Sequence, residues 1–177
     1  GNYWYTHYFY CVLRAKYTMP SWRLNDVPIA MYLATHFYFS SYHVLANLPQ
    51  RYVRTAYTAG PQRTALQVGL ILAMAYATAF METLTICHFP YYSFEDRDMA
   101  YTVGSAFYGI YFIVSFPMYF AMDEPDGPQP GPGPRLAEPA IHSFAAGMMV
   151  LLGLDIVRLS VAGTPLSIGG LLWEVTG

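Results

Sequence analysis

Glu82 is the residue whose setting most constrains its chemistry. It is the sole carboxylate in the apolar stretch 64 to 88, and helical spacing puts Thr78 and Thr85 on its face, with small Ala75 and Ala79 alongside. Apolar surroundings favour the neutral acid over the carboxylate, so this position holds a proton that it can donate. Pairing with a histidine of another helix is the structural use of the same group. A second constellation lies upstream, where Tyr32, His36, Ser40, His43 and Asn47 follow one another at steps of four, four, three and four. They share one helical face, with His36 near mid-depth. Such a stripe serves either interhelical hydrogen bonding or proton relay.

Two further patterns carry polar groups. Tyr101, Ser105, Tyr108, Phe112, Ser115 and Tyr119 form a mixed polar and aromatic stripe of the packing kind. Asp155 and Arg158 stand one turn apart and neutralise each other. No metal is expected: HxxxH and HxxHH boxes are absent, and His36 and His43 are too far apart to share an ion unaided. The run from Glu95 to Asp98, EDRD, has the look of a magnesium-diphosphate loop but is too short to distinguish from a solvated one. Gly-rich phosphate loops and nucleophile elbows are also absent.

The elements that must position these groups follow from composition. The chain is 55% hydrophobic and 11% charged, against about 25% charged for soluble domains, so membrane is its natural solvent. Apolar runs at 27–47, 64–88, 101–120 and 140–159 are each long enough for a helix to cross a bilayer. The opening aromatic run, 2–13, is too short to span and reads as the end of a fifth helix cut by the start at Gly1. The expected fold is therefore all-α, a polytopic transmembrane bundle of four full spans plus that remnant, forming one membrane domain over 1–177. The Pro/Gly-rich segment 123–134 reads as a linker between spans. The tail 160–177 is too broken to span and is expected at the interface or flexible, anchored by Trp173.

Charge excludes one class of partner and leaves orientation open. A net charge of -2 without a basic stripe gives nucleic acid nothing to bind. Arg14, Lys16, Arg23, Arg97 and Arg158 fall on one side of the expected bundle, and Arg51, Arg54, Arg63 and Arg135 on the other, a nearly even division. Cys11 and Cys87 have no metal-binding or redox spacing and are expected to pack as small hydrophobes. Oligomeric state is not legible.

The segments GNYWYTHYFYCVL, YTMPSW, NDVP, THFYFSSYHVLAN, METLTICHFPYYSFEDR and YGIYFIVSFPMYFAMDE, between Gly1 and Glu124, resemble the cycloeucalenol cycloisomerases, or cyclopropyl sterol isomerases, of plants and algae. METLT is also similar to a segment of the emopamil-binding type of sterol isomerase, where a membrane glutamate and threonine face the sterol. The resemblance implies a sterol substrate in the endoplasmic reticulum membrane and opening of the 9β,19-cyclopropane ring of cycloeucalenol to give obtusifoliol, with no cofactor. That reaction needs an acid at C19, stabilisation of a cation at C9 and a base for the C8 proton. Glu82 is the expected acid and His36 the expected base or relay, although their roles can be exchanged. His43 and His7 lead toward the interface. Ring faces of Trp4, Tyr32, Tyr108 or Tyr111 would stabilise the cation. Thr78 and Thr85 flank the acid. The competing functions are a non-catalytic sterol-binding or trafficking protein with the same cavity, and a small proton-coupled transporter, which the lack of an internal repeat disfavours.

Overall fold

The computed structural model describes residues 6, 8–124, 136–161, 167–168 and 171–172. The expected linker beyond Glu124, and Trp4, His7 and Trp173, lie outside the described residues. In chain order the elements are a π-turn, π1 (Tyr8–Val12), strands β1 (Ala15–Tyr17), β2 (Arg23–Leu24) and β3 (Val27–Pro28), helices α1 (Ile29–Ala56) and α2 (Pro61–Ile86), and strand β4 (Tyr92–Phe94). Then come α3 (Arg97–Met99), a second π-turn, π2 (Ala100–Gly104), helices α4 (Ser105–Asp123) and α5 (Ala137–Val161), and strands β5 (Ser167–Ile168) and β6 (Leu171–Leu172).

The helices have local causes. Pro28 holds an extended backbone up to the first residue of α1. Pro61 occupies the first turn of α2, where its missing N–H costs nothing. Asp96 caps α3, its carboxylate accepting the Met99 N–H at 2.9 Å. The acidic run EDRD is thus a helix start, with exposed Glu95 facing Arg14 at 3.9 Å and Lys16 at 3.8 Å. Among the described residues no group of three side chains could hold a metal ion. From Arg97 to Asp123 the chain is one continuous helix through π2.

Three helical runs are long and apolar enough to cross a membrane, at Pro61–Ile86, Arg97–Asp123 and Ala137–Val157. Helix α1 is longer than any of them but is not among them, since its polar stripe lowers its hydropathy. It also runs past the expected end at Asn47, because a helix ends where its hydrogen bonding ends and not where apolar residues run out. The added length carries Arg51 and Arg54, which pair with Glu124, Arg54 Nη2 lying 3.4 Å from Oε2. The Arg54 guanidinium sits 4.5 Å from the centre of the Phe120 ring. One turn earlier Asn47 Nδ2 donates to Asp123 Oδ2 at 2.7 Å. These polar contacts tie the end of α1 to the end of α4.

The expectation of a purely helical chain needs one correction, because the connections contain two-stranded antiparallel ribbons, β1–β4, β2–β3 and β5–β6. In β2–β3, Asn25 and Asp26 form the turn with φ of 49° and 59°, the left-handed region that short polar side chains tolerate and tight hairpins require. The ribbon β1–β4 pairs Tyr17 with Tyr92 and so joins the N-terminal segment to the loop after α2.

Small residues set the closest helix approach. Ala75 and Ala79 of α2 are fully buried, and a Cβ at Gly109 of α4 would lie 3.8 Å from the Ala75 backbone. Phe112 and Phe116 fill the space beside them, packed by Phe39 and Tyr42 of α1. Helix α5 packs on α4, with Gly153 beneath Ile110, and the free thiol Cys87 is buried in the second core cluster, as expected. A Cβ at Gly109 already touches the Ala75 and Tyr76 backbone, so the branched end of a leucine there should press α2 and α4 apart and cost about 1–3 kcal/mol. Thermal unfolding in detergent checks this: Gly109→Leu lowers the midpoint by several degrees, while Gly69→Leu, where nothing lies within 4 Å of a new Cβ, leaves it in place.

Candidate active site

A cavity of about 600 Å³ opens at the end of the bundle where α1 begins and α2 ends. Its walls come from π1, from Tyr17 and Tyr92 of the β1–β4 ribbon, from the first half of α1, the last turns of α2 and the start of α4. Apolar and aromatic side chains make up most of it. Glu82 is its only charged-type side chain among the described residues, since no Asp, His, Lys or Arg lines it. Glu82 and Ile86 of α2 turn to the cavity, and Phe89 follows them from the turn after the helix.

The Tyr108 hydroxyl donates to Glu82 Oε2 at 2.7 Å, and the Tyr42 hydroxyl also acts on this carboxyl. Thr83 and Thr85 line the cavity as well, but their hydroxyls donate back to the Ala79 and Met81 carbonyls at 2.8 and 2.7 Å. The carboxyl is therefore held by phenols, and the Thr83 and Thr85 hydroxyls are spent on the backbone. Tyr111, one turn from Tyr108, shares the wall, with ring centroids 5.2 Å apart. At the ribbon end, Phe9 stacks on Tyr17 at 4.5 Å and Tyr17 lies 5.3 Å from Tyr92. Burial pushes the Tyr17 and Tyr92 phenols well above the ordinary tyrosine value, so this end of the cavity stays uncharged.

Glu82, Thr85, Tyr108 and Tyr111 are brought together as the sequence suggested. Thr78 is half-buried one turn away and does not reach the lining. The hydroxyl of Tyr32 donates to the Leu24 carbonyl at 2.8 Å, and Tyr32 is not a wall residue. His36 is exposed on the outer side of α1 and also misses the cavity. His43 is buried, its Nδ1 2.6 Å from the Phe39 carbonyl and its Nε2 2.8 Å from Ser115 Oγ. A carbonyl only accepts, so Nδ1 carries the proton and Nε2 of the neutral ring accepts from Ser115. His43 fastens α1 to α4 outside the cavity.

Sequence reading missed Tyr8, Tyr38, Tyr42 and Thr83. Tyr38 and Tyr42 belong with Met31 and Thr35 to a stripe at steps of four, three and four. That spacing is as helical as the one chosen, and it lies one residue round the helix from it. Tyr8 had no periodic signal, because it sits in a π-turn.

A helical bundle with runs long and apolar enough to cross a membrane, enclosing a mostly apolar cavity with one phenol-held carboxyl among the described residues, defines a class: a membrane protein whose cavity suits an apolar ligand beside an acid. The chain is similar to a curated protein of Arabidopsis thaliana named cycloeucalenol cycloisomerase, with 44% identity over 161 residues, which is 90% of this chain and 56% of that relative. The resemblance to the cycloeucalenol cycloisomerases is thereby shown. It reaches past Glu124, since 161 residues cannot be accommodated before that position. The chain spans little more than half the length of the relative. No family model matches it, and no solved structure matches it.

Proposed function

We propose that this chain is the catalytic part of a sterol isomerase of the endoplasmic reticulum membrane, which opens the 9β,19-cyclopropane ring of cycloeucalenol to give obtusifoliol. The observation that carries the reading is Glu82, which Tyr108 holds and which is the single carboxyl among the described residues that line an otherwise uncharged cavity. The name of the Arabidopsis relative supports the substrate.

In the proposed reaction Glu82 delivers its proton to C19, and the electrons of the C9–C19 bond form the new C19–H bond. Positive charge appears at C9 and is stabilised by the faces of Tyr108 and Tyr111. The Tyr108 hydroxyl stabilises the carboxylate that delivery creates. Loss of the C8 proton then supplies the electrons of the C8–C9 double bond. Among the described residues no other ionisable acid or base except phenols lines the cavity, so we assign this proton to the newly formed Glu82 carboxylate in place of His36. Substrate and product are isomers, and the sequence is redox-neutral.

Membranes containing the complete protein, incubated with cycloeucalenol in heavy water, should yield obtusifoliol with one deuterium in the C19 methyl group. Sterol retention without ring opening would instead favour the non-catalytic sterol-binding protein, for which this cavity also has the size and polarity.

A further inference from the structure

We propose that Tyr8 is a further catalytic residue, whose ring joins those of Tyr108 and Tyr111 to form the wall against which the cationic carbon develops. The inference rests on the isomerase reading above. Tyr8 lines the cavity yet is only 4% exposed, and its hydroxyl donates to the Gly104 carbonyl at 2.5 Å. That hydroxyl is committed to the backbone of π2. It neither carries a proton to the sterol nor adds to a cation, and what Tyr8 offers the ligand is its ring.

The ring is placed where the charge arises. It stacks on Tyr108 at 5.8 Å and 26°, and its centroid is 5.6 Å from that of Tyr111. With the 5.2 Å separation of Tyr108 and Tyr111, the three rings close a triangle whose Tyr108 vertex holds Glu82. C9 is bonded to C19, so the charge appears one bond from the carbon that Glu82 protonates. Rings bordering the acid are therefore the ones whose electron-rich faces count. A ring also stabilises a cation without capturing it covalently, as a second carboxylate would.

Two features keep Tyr8 in this position. Gly104 presents no Cβ, and one there would overlap Cδ2 of Leu13, so the glycine leaves the space that Leu13, the residue after π1, fills against π2. The π-turn itself presents the carbonyl that anchors the phenol.

The test uses membranes with the complete protein carrying Tyr8→Phe as reference, then phenylalanines bearing one, two and three ring fluorines at the same position. Fluorine drains the ring face of electron density with little change in volume. Ring-opening turnover at saturating cycloeucalenol should fall stepwise, reaching about tenfold at three fluorines, with the half-saturating concentration nearly constant. Turnover that is flat across the series, or a change confined to half-saturation, overturns the proposal and leaves the isomerase reading standing. Absence of ring opening in the unsubstituted protein overturns both.

Discussion

Replacing Glu82 by Gln in the complete protein should lower ring-opening turnover by about 10³-fold, the range of a positioned general acid, while cycloeucalenol still binds. Glutamine keeps the shape of the side chain, and its amide oxygen still accepts from the Tyr108 hydroxyl that now meets Oε2 at 2.7 Å. What it lacks is a transferable proton. Initial rates and sterol binding on the same membranes separate the two effects. Substantial turnover by Glu82→Gln would remove the carboxyl from the chemistry. The companion variant His36→Ala should keep turnover within roughly twofold, as exposed positions away from a site usually do. If instead it fell as far as Glu82→Gln, the base would be His36 and the double role of Glu82 would be wrong.

Tyr108→Phe is the second large effect. It keeps the ring, with its contacts to Tyr8, Tyr111 and Phe112, and removes only the donor to Glu82. A hydrogen bond to a charged group is worth about 1.5–3 kcal/mol, and the charge here exists only after proton delivery. The loss should therefore appear in kcat, by about 10–100-fold, with KM little changed. A rise in KM at constant kcat would show that the phenol contacts bound sterol and does not support the carboxylate.

Much of the architecture was legible because its causes are local. A long apolar run must form a helix if it is to satisfy its backbone in hydrocarbon, and helices occur at the four expected positions, three of them long and apolar enough to cross a membrane. The boundaries were less legible. Helix α1 continues to Ala56, where Arg51 and Arg54 pair with Glu124 of another segment, and no property of residues 48–56 alone announces that partner. The ribbon β1–β4 depends in the same way on a pairing between Tyr17 and Tyr92 across the whole of α1 and α2.

The candidate site divides along the same line. Glu82 was identifiable from the sequence by itself, since a lone carboxyl in an apolar helix has few uses and hydrocarbon penalises its charge wherever the helix turns. Tyr108 stood in an aromatic stripe, while Tyr111 was named only as a ring face for the cation that the resemblance implies. Only the tertiary structure decided which face of α1 meets the cavity. The stripe of His36 and His43 and the stripe of Thr35, Tyr38 and Tyr42 have equally regular spacing, and periodicity states which residues share a face without naming the neighbour opposite. The rotation of α1 is a matter of packing, in which Phe39 and Tyr42 lie against Phe112 and His43 bonds to Ser115. The same holds for Tyr8, which reaches Tyr108 and the Gly104 carbonyl because two π-turns distant in the chain pack together at a glycine.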